Sequence, residues 1–227
     1  MRRIVLDTET TGLNPEQGHR VIEIGAVEIV NRRVTGRTFH TYLNPDREID
    51  AGAVEVHGLT SDFLADKPRF PDVVAEFLDY IADAELVIHN APFDVGFLNS
   101  ELRRLDSGDN LRSHCLSVLD TLKMAKEIHP GQKNNLDALC RRYDVDNSGR
   151  AYHGALLDAQ LLAEVYLAMT RGQESLAIES FLTPPPQSRH VGVVQGVKVF
   201  KASEADLAEH RAYLDKMAKD CGKTLAW

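Results

Sequence analysis

The segment Ile4-Val5-Leu6-Asp7-Thr8-Glu9-Thr10-Thr11-Gly12 carries two carboxylates, Asp7 and Glu9, two residues apart behind three apolar residues. Such an apolar run reads as a buried strand, and on a strand residues i and i+2 point to the same face. Both acids therefore converge on one spot, and Gly12 closes the segment. Two like charges held that close are costly without a cation between them. Hard divalent cations such as Mg²⁺ prefer oxygen ligands of this kind. An edge strand with two solvated acids would account for an isolated D-x-E. Here the acids follow a buried run and precede a Thr-Thr-Gly turn, which favours the metal. Further ligands have to come from elsewhere in the chain.

Three positions offer them. Asp94 ends the run His89-Asn90-Ala91-Pro92-Phe93-Asp94, early in a helix that follows the short apolar strand Leu86-Val87-Ile88. That is the crevice at the strand ends where α/β proteins place their sites. Asp158 lies in the first turn of the most apolar helix, and His153 precedes it by five residues. Five residues on a continuous helix place two side chains about 140° apart, so His153 belongs to the loop before the helix, from which it swings over the same site. A helix cap or a solvated acid is the competing reading of Asp94 taken alone. Asp62, Asp72, Asp83, Asp137 and Asp144 are assigned to caps and solvated surface.

The elements that must position these residues follow from periodicity. Val21–Val30 and Val34–Leu43 read as two more strands around an Asn31-Arg32-Arg33 turn, an antiparallel meander with the first. A loop over 14–20, a short helix over 60–66 and a striped helix over 70–82 come between. Then come the 86–89 strand, a helix opened by Pro92 with the stripe Phe93, Phe97, Leu98 and Leu102, a strand over 117–120, and helices over 134–143 and 154–169. Three strands followed by strands alternating with helices imply an α/β fold, a mixed five-stranded sheet with helices on its faces. Composition changes near Gly172. Residues 172–189, with Pro184-Pro185-Pro186, read as a stiff linker. Residues 190–227 follow, with a hairpin around Gln195-Gly196 and a helix capped by Ser203 over 205–219. That last segment is too small to bury a core of its own. The expected organisation is 1–171, 172–189 and 190–227.

The whole chain has 227 residues, 43% of them hydrophobic and 26% charged, as in soluble globular proteins. A net charge of −8 argues against a protein that coats long nucleic acid. It leaves room for an enzyme that grips a few nucleotides through metal ions. Three widely spaced cysteines, Cys115, Cys140 and Cys221, form neither a zinc motif nor a disulfide framework. Without a signal-peptide pattern or a membrane-length apolar run, a cytoplasmic location and no membrane partner are expected.

Taken together, Asp7-x-Glu9, Asp94, and His153 five before Asp158 resemble the DEDDh family of 3′→5′ exonucleases. The contexts D-T-E-T-T-G, H-N-x-x-F-D and H-x-A-L-x-D-A occur in that family's order, over roughly residues 3–170. Within it, Asn44-Pro45-Asp46-Arg47, Val56-His57-Gly58-Leu59, Leu136 to Cys140 and Gly154 to Gln160 are similar to the proofreading ε subunits of bacterial DNA polymerase III. The chain departs from that pattern at Ala51-Gly52-Ala53, where some members of the family carry a Glu.

The resemblance implies a ribonuclease H-like fold and two divalent cations, Mg²⁺ or Mn²⁺. Asp7 would bridge them, Glu9 and Asp158 would complete one shell, Asp94 would support the other, and His153 would be the general base. It implies that Asp7, Glu9, Thr10, Thr11, Gly12, Leu13, His57, Asn90, Phe93, His153 and Asp158 meet a single-stranded or frayed DNA 3′ end. It also implies that Gln173, Ser175, Leu176 and Ile178 touch the sliding clamp, and that the tail binds the polymerase α subunit, with room for a small accessory subunit. Two alternatives stand beside it: an RNA or small-oligonucleotide exonuclease, and a non-catalytic adaptor of the polymerase complex.

Overall fold

A computed structural model describes residues 1–105, 109–149, 152–171 and 202–221. β1 (Arg2–Thr10), β2 (Val21–Val30) and β3 (Arg33–Tyr42) run antiparallel. The β2–β3 connection is tight because Asn31 and Arg32 both take positive φ, 49° and 62°, the backbone a two-residue hairpin turn requires. β4 (Glu85–Ile88) and β5 (Ser117–Asp120) then add parallel to β1, giving the order β3-β2-β1-β4-β5. The mixed five-stranded sheet expected from the sequence is the one observed.

Strand alternation splits the core into two layers. Ile4 and Leu6 of β1 face one side, where α3 (Phe70–Ile81) and α4 (Ala91–Arg103) deliver Phe70, Phe77, Phe97 and Leu98. Val5 faces the other side. There α5 (Thr121–Ile128), α6 (Leu136–Arg142) and α7 (Ala155–Met169) bring Ala125, Leu139, Leu162 and Val165. The central strand is covered on both faces, so the register of β1 fixes which residue meets which layer.

α1 (Ala51–His57), α2 (Ser61–Leu64), α5 and two 3₁₀ turns, at Pro15–Gln17 and Leu111–Ser113, complete this part of the chain. The sequence reading missed α1 and α5. α1 is seven residues long, contains Gly52 and has no apolar stripe to reveal it. α5 is held by its N-cap, with Asp120 accepting from the backbone N–H groups of Leu122 (2.9 Å) and Lys123 (3.3 Å).

The chain divides into two compact units, Met1–Ser175 and Leu176–Trp227. In the second, α8 (Glu204–Cys221) opens as expected on Ser203. Ser203 Oγ accepts from the Asp206 backbone N–H at 3.2 Å, and the Asp206 carboxylate accepts from the Ser203 backbone N–H at 2.9 Å, a reciprocal cap. The 191–201 hairpin, the triple proline and residues 173–178 lie outside the described residues. Among the described residues no helix is long and apolar enough to cross a membrane.

Candidate active site

Asp7 and Glu9 share the parity of Val5 and therefore face the α7 side of the sheet. What brings α7 to them is a glycine. Gly25 of β2 is paired with Asp7 across the strands. A Cβ built on it would lie 2.2 Å from the carbonyl carbon of Ala155 and 2.2 Å from the backbone nitrogen of Leu156. The first turn of α7 thus rests directly on the β2 backbone, which leaves Asp158 buried (3% exposed) within reach of Glu9 (9%). His153 lies in the loop ahead of α7, as its spacing required. Its backbone N–H donates to Val56 at 3.1 Å, and its Nδ1 stands 3.3 Å from Asp158 Oδ2. One ligand atom each from Glu9, His153 and Asp158 lies within 4.8 Å of the others.

Asp94 arrives from the opposite layer. Asn90 takes a left-handed conformation (φ 64°) between β4 and α4, with its N–H donating to Asp120 at 3.2 Å. The turn aims the start of α4 at the strand ends. Thr8, between the two acids and pointing to the other face, donates its hydroxyl to Asp94 Oδ1 at 2.7 Å. Asp94 is 3% exposed. Burial pushes its carboxyl up to about 7, with the Asp120 charge acting in the same direction and the Thr8 hydrogen bond opposing it. A buried acid in that condition, beside Asp7, Glu9 and Asp158 in one cleft, suits a divalent cation, whose charge would offset the burial of the carboxylates. The cleft measures about 300 Å³, and His89, Asn90, Phe93, Asn135 and Asp137 also line it.

A second, more apolar pocket of about 490 Å³ shares Thr8, Glu9 and Phe93 with the cleft. Thr10 at the end of β1, then Gly12 and the highly exposed Leu13 (85%), line it on one side, and Ala53, Val56 and His57 line it from α1. His57 is 5% exposed. Its Nδ1 accepts the Leu59 backbone N–H at 3.0 Å, and its Nε2 is buried without a hydrogen-bond partner. Burial, and secondarily the neighbouring His153, push its imidazole below the usual histidine range. The structure therefore gathers Thr10, Gly12, Leu13, His57 and Phe93 around one pocket and Asn90 into the adjoining cleft. Thr11 does not join them. It is fully buried, and its hydroxyl accepts the Arg20 N–H at 3.0 Å and meets His19 Nδ1 at 3.0 Å.

The sequence reading assigned Asp137 to cap or surface. It lines the cleft instead, and Asn147 donates to it at 3.2 Å. Asp50, His19 and Gly25 were not singled out at all. For Gly25 a signal existed: an isolated glycine inside a Val/Ile strand often marks a close backbone approach. For Asp50 and His19 neither periodicity nor motif gave one.

Four acids and a histidine at the mouth of a mixed sheet, beside an apolar pocket, define an α/β protein with a candidate metal-binding cleft. The chain belongs to the exonuclease family, whose model matches residues 4–166. It groups there with the DNA polymerase III epsilon subunits. It is 51% identical to that of Salmonella typhimurium and 50% identical to that of Escherichia coli, covering 99% of this chain and 96% of each relative. The Haemophilus influenzae subunit is 47% identical over 100% of this chain and 94% of its own length. Among solved structures, exonuclease X in complex with 5′ overhanging duplex DNA matches with a TM-score of 0.60 at 25% identity, over 75% of this chain and 92% of that one. The nuclease domain of 3′hExo, a DEDDh family member bound to rAMP, matches with a TM-score of 0.65 at 19% identity, over 76% and 92%. The chain is a 3′→5′ exonuclease.

Proposed function

We propose that this exonuclease proofreads for a bacterial replicative polymerase, removing mispaired 3′-terminal nucleotides as 5′-monophosphates. The observation that carries the reading is the convergence of Asp7, Glu9, Asp94 and Asp158 on a cleft that opens into a mostly apolar pocket. Asp7, Glu9, Asp94 and Asp158 would hold two divalent cations, Mg²⁺ or Mn²⁺, which when bound neutralise the scissile phosphate and make a bound water more acidic. His153 takes the proton of the attacking water. With Nδ1 3.3 Å from Asp158 Oδ2, Nε2 is the ring atom that takes it in this reading. Imidazole suits this role because its ordinary pKa lies near neutrality. The water oxygen bonds to phosphorus as the bond from phosphorus to the O3′ of the penultimate nucleotide breaks; that O3′ takes up a proton from solvent and remains as the hydroxyl end of the shortened strand, and the phosphate leaves with the terminal nucleoside. Leu13, Val56 and Phe93 offer an apolar surface to an unstacked base without reading its identity. A frayed, mispaired end reaches such a pocket more readily than a paired one. Through residues 173–178 and the tail, the sliding clamp and the polymerase α subunit would bring the enzyme to DNA.

The test is nucleotide release from a 3′-labelled primer with Mn²⁺ or Mg²⁺. A mispaired end should be cleaved at least several-fold faster than a paired one, and a DNA strand should be preferred to RNA. Equal rates on paired and mispaired ends would remove the proofreading assignment. A preference for RNA would replace the substrate.

A further inference from the structure

His19 is a buried histidine outside the acid cleft, 7% exposed, and the chemistry above makes no use of it. Its Nδ1 lies 3.0 Å from the Thr11 hydroxyl, which also accepts the Arg20 backbone N–H at 3.0 Å. Whichever ring nitrogen carries the proton, the hydroxyl and Nδ1 share one hydrogen bond, because the hydroxyl can donate to Nδ1 or accept from it alongside the Arg20 N–H. Nε2 faces Asp50 Oδ2 at 3.5 Å. Asp50 stands at the N-cap of α1, yet its side chain makes no capping hydrogen bond there. Its backbone N–H donates to the Thr11 carbonyl at 3.0 Å. Finally, a Cβ on Gly12 would fall 2.3 Å from His19 Cε1 and 2.5 Å from Nδ1. One ring therefore packs against the Gly12-Leu13 turn and meets the start of α1, the two segments that supply Leu13 on one side and Asp50, Ala53 and Val56 on the other to the apolar pocket.

We propose that His19 is a positioning residue for the terminal nucleotide, tying the turn after β1 to helix α1 so that these two parts of the pocket hold one spacing. The inference rests on the reading of that pocket as the nucleoside site. His19 touches none of the four acids, so its loss acts on nucleotide binding and not on the metal cleft. It also explains Gly12 sterically, since Gly12 has no left-handed φ to require glycine.

The test uses the full-length chain with Mn²⁺ and a single-stranded DNA oligonucleotide. His19→Ala should raise KM about tenfold, ~1.4 kcal/mol of binding, and weaken binding of a nucleoside 5′-monophosphate equally. The kcat should stay within about twofold and the half-saturating Mn²⁺ concentration should not move. Gly12→Ala should raise KM in the unaltered protein but add less than about twofold to His19→Ala, because the ring that crowds the methyl group is then gone and the other close atom, Asp50 Oδ2 at 2.8 Å, ends an exposed side chain that can move aside. Should His19→Ala fail to fold, Asp50→Ala removes the second contact from an exposed side chain and should raise KM about threefold. Unchanged KM in these variants overturns the inference, as does a fall in kcat accompanied by a shifted Mn²⁺ dependence. If the unaltered chain releases no nucleotide, the exonuclease reading fails instead, which separates the two outcomes.

Discussion

At Asp94 a carboxyl group is buried almost completely and accepts a hydrogen bond from the neutral Thr8 hydroxyl. A charge so placed opposes folding until a cation joins it. Asp94→Asn should therefore raise the melting temperature of the metal-free protein by about 2–8 °C, a gain of ~1–2 kcal/mol, while nucleotide release falls by orders of magnitude. Thermal unfolding with a chelator and with excess Mn²⁺ checks both halves. Saturating cation should stabilise the unaltered protein by ~2–3 kcal/mol at about a hundredfold excess over its dissociation constant, and Asp94→Asn much less. His153 is the other residue whose role a measurement can separate. His153→Ala should lower kcat by about 10²–10⁴-fold, as for a general base, and leave cation binding by calorimetry within a few-fold. A collapse of cation affinity would make His153 a ligand, an arrangement its proximity to Glu9 and Asp158 also allows.

The N-terminus of α7 is the element on which the site turns. It carries Asp158, follows His153 and rests on Gly25 opposite Asp7. The contact is backbone to backbone, so no side chain can swing aside to admit a methyl group. Gly25→Ala should displace that first turn, cost about 1–3 kcal/mol of stability through overpacking, and lower kcat by at least tenfold. The half-saturating Mn²⁺ concentration should rise with it, because Asp158 moves away from Glu9. This is the reverse of the pattern expected for His19, and the two variants measured together assign the cleft to one element and the pocket to another. A Gly25→Ala protein with normal kcat and metal dependence would show that α7 can settle elsewhere. Periodicity revealed α7 itself at the sequence level, but its landing point on β2 was not legible, because that depends on a contact between residues 130 positions apart.

For the whole molecule, the unit Met1–Ser175 contains the sheet, both core layers and every residue of the cleft and pocket. Removing residues 172–227 should therefore leave nucleotide release from a single strand within about twofold and keep the cooperative thermal transition. In the proposed assembly the same deletion abolishes co-purification with the polymerase α subunit, and retained co-purification would locate that interface elsewhere. The acidic balance of −8 fits this division, since delivery to DNA by a partner does not require a basic surface on the exonuclease itself. By itself the sequence determined the acids, their order, the strand that aims Asp7 and Glu9 together, the sheet type and the loop position of His153. Each of these follows from residue chemistry or from a local period of 2 or 3.6. Tertiary structure alone decided that Thr11 turns inward to His19, that Asp137 reaches the cleft, that Asp50 borders the pocket and that Gly25 carries α7. Each of those depends on which distant backbone packs against the residue, and no local periodicity records that.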